Sequence, residues 1–154
     1  MAAFAIDTSV IIAALLSWHD KHEPAFECLA RLFAEPPQPI ILPTRVLVES
    51  YSVLTRLPSP HRLSPEDSFR LLEDNFRKRA KLVSLGSKAT WRWLESSVQS
   101  MIGGGKAYDA EIYECARIAK ATHLVTLNVG HFEEISNGEI EILPPDVLRN
   151  PQSG

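Results

Sequence analysis

Short apolar runs alternate along the chain with stretches of helical periodicity. "AFAI" (3–6) reads as a buried strand, and 8–17 as a helix that is apolar on nearly every face. The pattern predicts a second helix over 24–35, ended by Pro36-Pro37, and a strand at "PIIL" (39–42). Pro43 suits the opening of a helix that runs to about Leu57. "PSPHRLSP" (58–65) is a rigid turn, and Ser64-Pro65-Glu66-Asp67 supplies a capping hydroxyl, a proline and acids for the next helix. That helix closes on the basic run "RKRAK" (77–81), and "KLVSL" (81–85) follows as a strand. A helix is predicted over 87–102, a break at "GGG" (103–105), a helix over 107–121 and a strand at "HLVTL" (123–127). The alternating "GEIEIL" (138–143) supplies the last strand. Strands alternating with helices, without internal repeats or a low-complexity linker, predict one α/β domain over 1–148 with a short tail, 149–154. Its sheet should be largely parallel and flanked by helices. In such sheets ligands gather at the carboxyl ends of the strands, near helix N-termini.

Composition narrows the function classes. With 154 residues, 45% hydrophobic and 23% charged, the chain can bury a sizeable core. A formal charge of −3 gives no global attraction to nucleic acid or an anionic membrane, so any nucleic-acid binding needs a local basic patch or a metal. No apolar run approaches the ~20 residues of a membrane span. The N-terminus lacks a secretory pattern, which makes a cytoplasmic location the expectation. Cys28 and Cys115 have no metal or redox spacing and are expected to be buried thiols.

The chemistry lies in the acids. Asp7 stands between two apolar runs, where a bare carboxylate is costly unless capped, paired or bound to a cation. It could cap the helix that starts at Thr8. Glu49, in "LPTRVLVESYSVLTRL", is surrounded by apolar residues in mid-helix and cannot serve as a cap. Its structural alternative is a pair with Arg45 or Arg56. Asp109 heads the stripe Ile112, Tyr113, Ala116, so it faces the core in a first helical turn, where the dipole also favours it. Glu111 and Glu114 lie off the stripe and read as solvated, with Glu114 placed to pair with Arg117 or Lys120. Thr126 and Asn128, in "LVTLNVGHF" (124–132), follow a strand end on the edge that presents Asp7. Three carboxylates gathered there would repel unless a cation bound them. Oxygen-only ligation suits Mg²⁺ or Mn²⁺ rather than zinc, and such an ion can activate water and offset charge on a phosphodiester.

With "IDTSVIIA", "VLVESYSVLTRL", "GGGKAYDAEIYECA" and "HLVTLNVGHF" in this order and spacing, the sequence resembles the PIN-domain family, and in particular its VapC-type toxins. The resemblance covers nearly the whole chain. It implies a parallel sheet flanked by helices, a Mg²⁺ or Mn²⁺ site and cleavage of single-stranded or loop RNA. It also implies a homodimer and inhibition by a small VapB-type antitoxin. Asp7, Glu49 and Asp109 match the family's first, second and third acids, and Ser9 matches a small polar residue often beside the metal or its waters. A fourth acid, common in a T-x-D pattern, is replaced here by Asn128 in Thr126-Leu127-Asn128. One ion rather than two is therefore expected.

Other features take plainer readings. "HDKHE" (19–23) reads as a solvated loop, not a zinc site, and "GGGKAY" lacks the pattern of a phosphate-binding P-loop. Lys106 is a candidate phosphate contact. Arg77, Lys78 and Arg79 either complement a helix C-terminus or track RNA. Trp91 and Trp93 face different sides of one helix, so one is expected in the core and the other at an interface. Two other functions compete with the nuclease. A phosphatase using Asp7 as nucleophile would want a second carboxylate where Ser9 stands. A catalytically weak module that binds RNA or protein has only Asn128 in its favour.

Overall fold

The computed structural model describes residues 1–148, so the tail 149–154 lies outside the described residues. The strands are β1 (Phe4–Ile6), β2 (Ile40–Pro43), β3 (Lys81–Val83), β4 (His123–Val125) and β5 (Glu141–Leu143). The helices are α1 (Thr8–Leu15), α2 (His22–Phe33), α3 (Thr44–Thr55), α4 (Pro65–Phe76), α5 (Ser87–Gln99), α6 (Lys106–Ile118) and α7 (Val129–Ile135), followed by a 3₁₀ turn at Pro145–Leu148. All strand pairings are parallel and the order is β3-β2-β1-β4-β5. The α/β expectation holds. Each predicted strand and helix is present, with ends shifted by a few residues.

The strand order places the site. From β1 the chain steps outward to β2 and β3, then returns past β1 to β4 and β5. The direction of winding thus reverses between β1 and β4, and a crevice opens there beyond the carboxyl ends. Ile6 pairs with Val125, so Asp7 and Thr126 are the next residues on either side of that crevice. The Asp7 N–H continues the ladder by donating to the Val125 carbonyl at 3.0 Å.

Burial follows the apolar runs. β1 is wholly buried, and α1 buries Val10 through Ala14, as its unbroken apolar sequence requires. Phe76, Phe132, Leu32, Leu54, Ile112 and Leu124 fill the space between sheet and helices. Ser64 caps α4, its hydroxyl accepting from the Asp67 N–H at 3.0 Å. Cys28 and Cys115 are buried free thiols, as expected. Among the described residues no helix is long and apolar enough to cross a membrane.

Several expectations need correction. α7 and the 3₁₀ turn have no counterpart in the apolar pattern, because α7 is seven residues long and contains Gly130. "HDKHE" is only partly loop: His22 opens α2, and its Nδ1 lies 2.9 Å from the Ala13 carbonyl. Neither Trp91 nor Trp93 is a core residue. Trp91 is 69% exposed, Trp93 is half-buried, and the buried residue of α5 is Ser97.

Candidate active site

Asp7 closes β1 and occupies the N-cap position of α1, but its side chain makes no capping hydrogen bond. The capping reading is thus not what holds it. Two hydroxyls do. Ser9 Oγ and Thr126 Oγ1 each donate to Asp7 Oδ2 at 2.8 Å. A hydroxyl has one proton, so both are committed to the carboxylate, and their lone pairs face backbone amides. The Leu127 N–H donates to Ser9 Oγ at 3.0 Å, and the Asn128 N–H to Thr126 Oγ1 at 2.9 Å. This relay locks the β4–α7 corner to a carboxylate only 4% exposed. Hydrogen bonds to an ionised acceptor are among the strong ones, and they offset much of the cost of burying the charge.

Glu49 enters from α3, where it is half-buried. Thr8 Oγ1 donates to its Oε2 at 2.9 Å, tying α1 to α3. The alternative of a pair with Arg45 does not form as a bond, because Arg45 Nε donates instead to Glu111 Oε2 at 2.8 Å. Glu111 is therefore not a solvated surface acid but an anchor for Arg45. Glu114 does pair with Arg117, at 2.6 Å. Asp109 lies in the first turn of α6, half-buried, with its helix N-terminus at the same sheet edge.

Glu49 and Asp109 feel the acids beside them. Burial, and then the charges of Asp7 and Asp109, hold the Glu49 carboxyl above its usual range, against the Thr8 hydrogen bond and the nearby Arg45 charge. Burial and the charge of Asp7 raise Asp109 likewise, with His131 opposing. Two carboxyls raised by burial and by a neighbouring acid are what like charges in one low-dielectric cleft produce. Among the described residues no three His, Cys, Asp or Glu side chains close into a ready-made metal cage. The donors are nonetheless all oxygens, which suits a hard cation that keeps part of its water shell.

The remaining candidates fall in two groups. Asn128 sits exposed at the N-cap of α7 without a side-chain cap bond, joined to the network through its backbone. Lys106, at the start of α6, pairs with Glu134 of α7 at 2.9 Å. Arg77, Lys78 and Arg79 lie elsewhere. They precede β3, at the amino ends of the strands, one strand length or about 10 Å and more from the carboxyl edge. Arg77 pairs with Glu73, and the Arg79 guanidinium lies 4.9 Å from the Phe33 ring centroid. The helix-terminus reading accounts for this run, and its placement does not form a track into the acidic cleft. Thr8, Glu111 and His131 belong to the site's surroundings but had no sequence signal, since their partners come from other elements.

The PIN domain family model matches residues 4–138. Ribonuclease VapC40 of Mycobacterium tuberculosis is 31% identical over 136 residues, covering 88% of this chain and 94% of the relative. Among solved structures, Mycobacterium tuberculosis VapC20, a sarcin-ricin loop cleaving toxin, superposes with a TM-score of 0.67 at 16% identity, covering 90% of this chain and 99% of that one. The fold is also shared with VapBC2 from Rickettsia felis, a complex bound to promoter DNA, at a TM-score of 0.64 and 20% identity over 92% of this chain and 98% of that one. With the matching motifs spread from β1 to the end of α7, the chain belongs to the PIN-domain family.

Proposed function

We propose that this protein is a divalent-metal-dependent endoribonuclease toxin that cuts single-stranded or loop RNA and is restrained by a small VapB-type antitoxin. The observation that carries the reading is Asp7, fixed by Ser9 and Thr126 at the winding switch of a parallel sheet, with Glu49 and Asp109 near enough to feel its charge. A relative named as a ribonuclease and a neighbour captured in a toxin–antitoxin assembly support it. In this reading Asp7, Asp109 and Glu49 hold Mg²⁺ or Mn²⁺, directly or through water. When bound, the ion supplies Lewis-acid stabilisation of the phosphodiester and lowers the pKa of water. The chain's own residues do the rest. Ser9 and Thr126 fix the Asp7 carboxylate in one orientation, so that its other oxygen, Oδ1, is aimed rather than free to rotate. Thr8 does the same for Glu49. Asn128 can offer an amide oxygen without adding to the negative charge, which favours one ion. A homodimer and a cytoplasmic location complete the proposal.

Cleavage of a single-stranded oligoribonucleotide, with and without chelator, tests the reading. Activity is expected to require Mg²⁺ or Mn²⁺, to vanish in EDTA, and to fall by at least about 10²-fold in Asp7→Asn. Cleavage that survives both changes would remove the metal mechanism.

A further inference from the structure

One aromatic group beside the cleft has no part in the core. Tyr108 directly precedes Asp109 on α6, and the residue is 52% exposed. Its underside is occupied: the Arg45 guanidinium carbon lies 4.7 Å from the ring centroid. Arg45 is itself fixed, because Glu111 takes its Nε–H at 2.8 Å. It stands four residues before Glu49 on α3, or about 6 Å along the helix axis. Glu111 at the edge of the guanidinium and the ring over its face thus join α3 to α6 one residue from Asp109. The ring's orientation is set before any ligand arrives, which removes an ordering cost from binding.

We infer that Tyr108, backed by Arg45, is a stacking platform for one nucleobase of the RNA strand whose backbone crosses the acidic cleft. Three properties point to a base. The ring offers a flat π-face with the other side already supported. The guanidinium beneath it, held by Glu111, fixes that face against α3. Stacking is also the interaction by which single strands are recognised where bases are unpaired, and it tolerates any base. Tyr108 is a positioning residue here: it would hold the strand in register and does not touch the reacting phosphate. The inference rests on the ribonuclease reading.

The test is binding, measured apart from cleavage. In an Asp7→Asn background with Mg²⁺ present, fluorescein-labelled hexauridylate is compared with a hexamer of abasic ribose phosphate. Tyr108→Leu keeps an apolar cover over Arg45 but removes the π-face; Tyr108→Phe keeps the face. Tyr108→Leu is expected to weaken hexauridylate binding about tenfold, in line with the loss of one stacked base. It should leave the abasic hexamer unaffected, and Tyr108→Phe should bind both like the parent. Equal hexauridylate affinity in Tyr108→Leu, or equal losses on both oligomers, would overturn the platform while leaving the nuclease reading intact. An Asp7→Asn protein that binds neither oligomer, together with unmutated protein that cuts no RNA in Mg²⁺, would overturn both readings.

Discussion

The two ends of the sheet handle charge in opposite ways. At the amino end, α2, α4 and α6 finish, and cations sit at their last turns or caps: Arg31, Arg77 and Arg117. There opposite charges are matched, Arg77 with Glu73 and Arg117 with Glu114 and Glu139. At the carboxyl end, where α1 and α6 begin, Asp7 and Asp109 sit at positive helix termini, and Glu49 joins them from α3. Helix dipoles account for the sign of these charges, though not for Arg45 and Lys106, which open α3 and α6 and pair with Glu111 and Glu134. Nor do the dipoles account for Glu49 and Asp109 being half-buried so near another acid that burial and its charge raise their proton affinity. The first arrangement is what stability alone selects; the second costs stability, as functional sites commonly do.

That comparison can be sharpened first at Thr126. Thr126→Val removes the buried donor to Asp7 and strands the Asn128 amide, so cleavage is expected to fall about 10- to 100-fold. The same change should cost about 1–3 kcal/mol of stability, read from denaturant melts. Ser9→Ala should behave similarly in single-turnover assays, since its hydroxyl carries the parallel relay. Retained activity in both would mean that Asp7 does not need its hydroxyl partners.

The second prediction concerns pH. Burial and neighbouring acids hold the Glu49 carboxyl above its unfolded value. In metal-free protein the folded state therefore keeps that proton to higher pH than the unfolded chain does. The resulting contribution to stability is fully present below the unfolded pKa and is lost as pH rises through the folded one. Glu49→Gln should flatten this decline in EDTA and leave the variant at least as stable as the parent at neutral pH. A lower melting temperature there would show that the Thr8–Glu49 hydrogen bond outweighs the repulsion.

The smallest effect is expected at the amino end. Arg117→Ala breaks a pair whose arginine is 36% exposed, and it should cost no more than about 1 kcal/mol and leave cleavage unchanged. A large loss of activity there would erase the distinction between the two ends.

How much of this was legible beforehand depends on the range of the signal. The apolar runs are local, and they marked all five strands and six of the seven helices. α7 escaped because its seven residues barely complete two turns and include Gly130. The three acids were legible as anomalies, each polar where its own element is apolar. Their neighbours were not: the Arg45–Glu111 bond spans 66 residues and the Thr126–Asp7 bond 119, so no periodicity could announce them. The same limit applies to "RKRAK". Its charge is visible in the chain, but whether it faces the cleft depends on which end of β3 it precedes.

Local chemistry therefore determined the elements, the alternation that makes the sheet parallel, and the presence of acids in otherwise apolar settings. It could also mark Asp7 as the residue after a buried strand, because burial of Ala3 to Ile6 is written in their side chains. Tertiary structure alone decided that β4 lies beside β1, and hence that Thr126 and Ser9 meet on one oxygen of Asp7. It alone turned Arg45 from Glu49 to Glu111 and set Tyr108 above it. The reason is physical. Propensity and periodicity act over a few residues, whereas the position of a hydroxyl or guanidinium is chosen by whichever distant element packs against it.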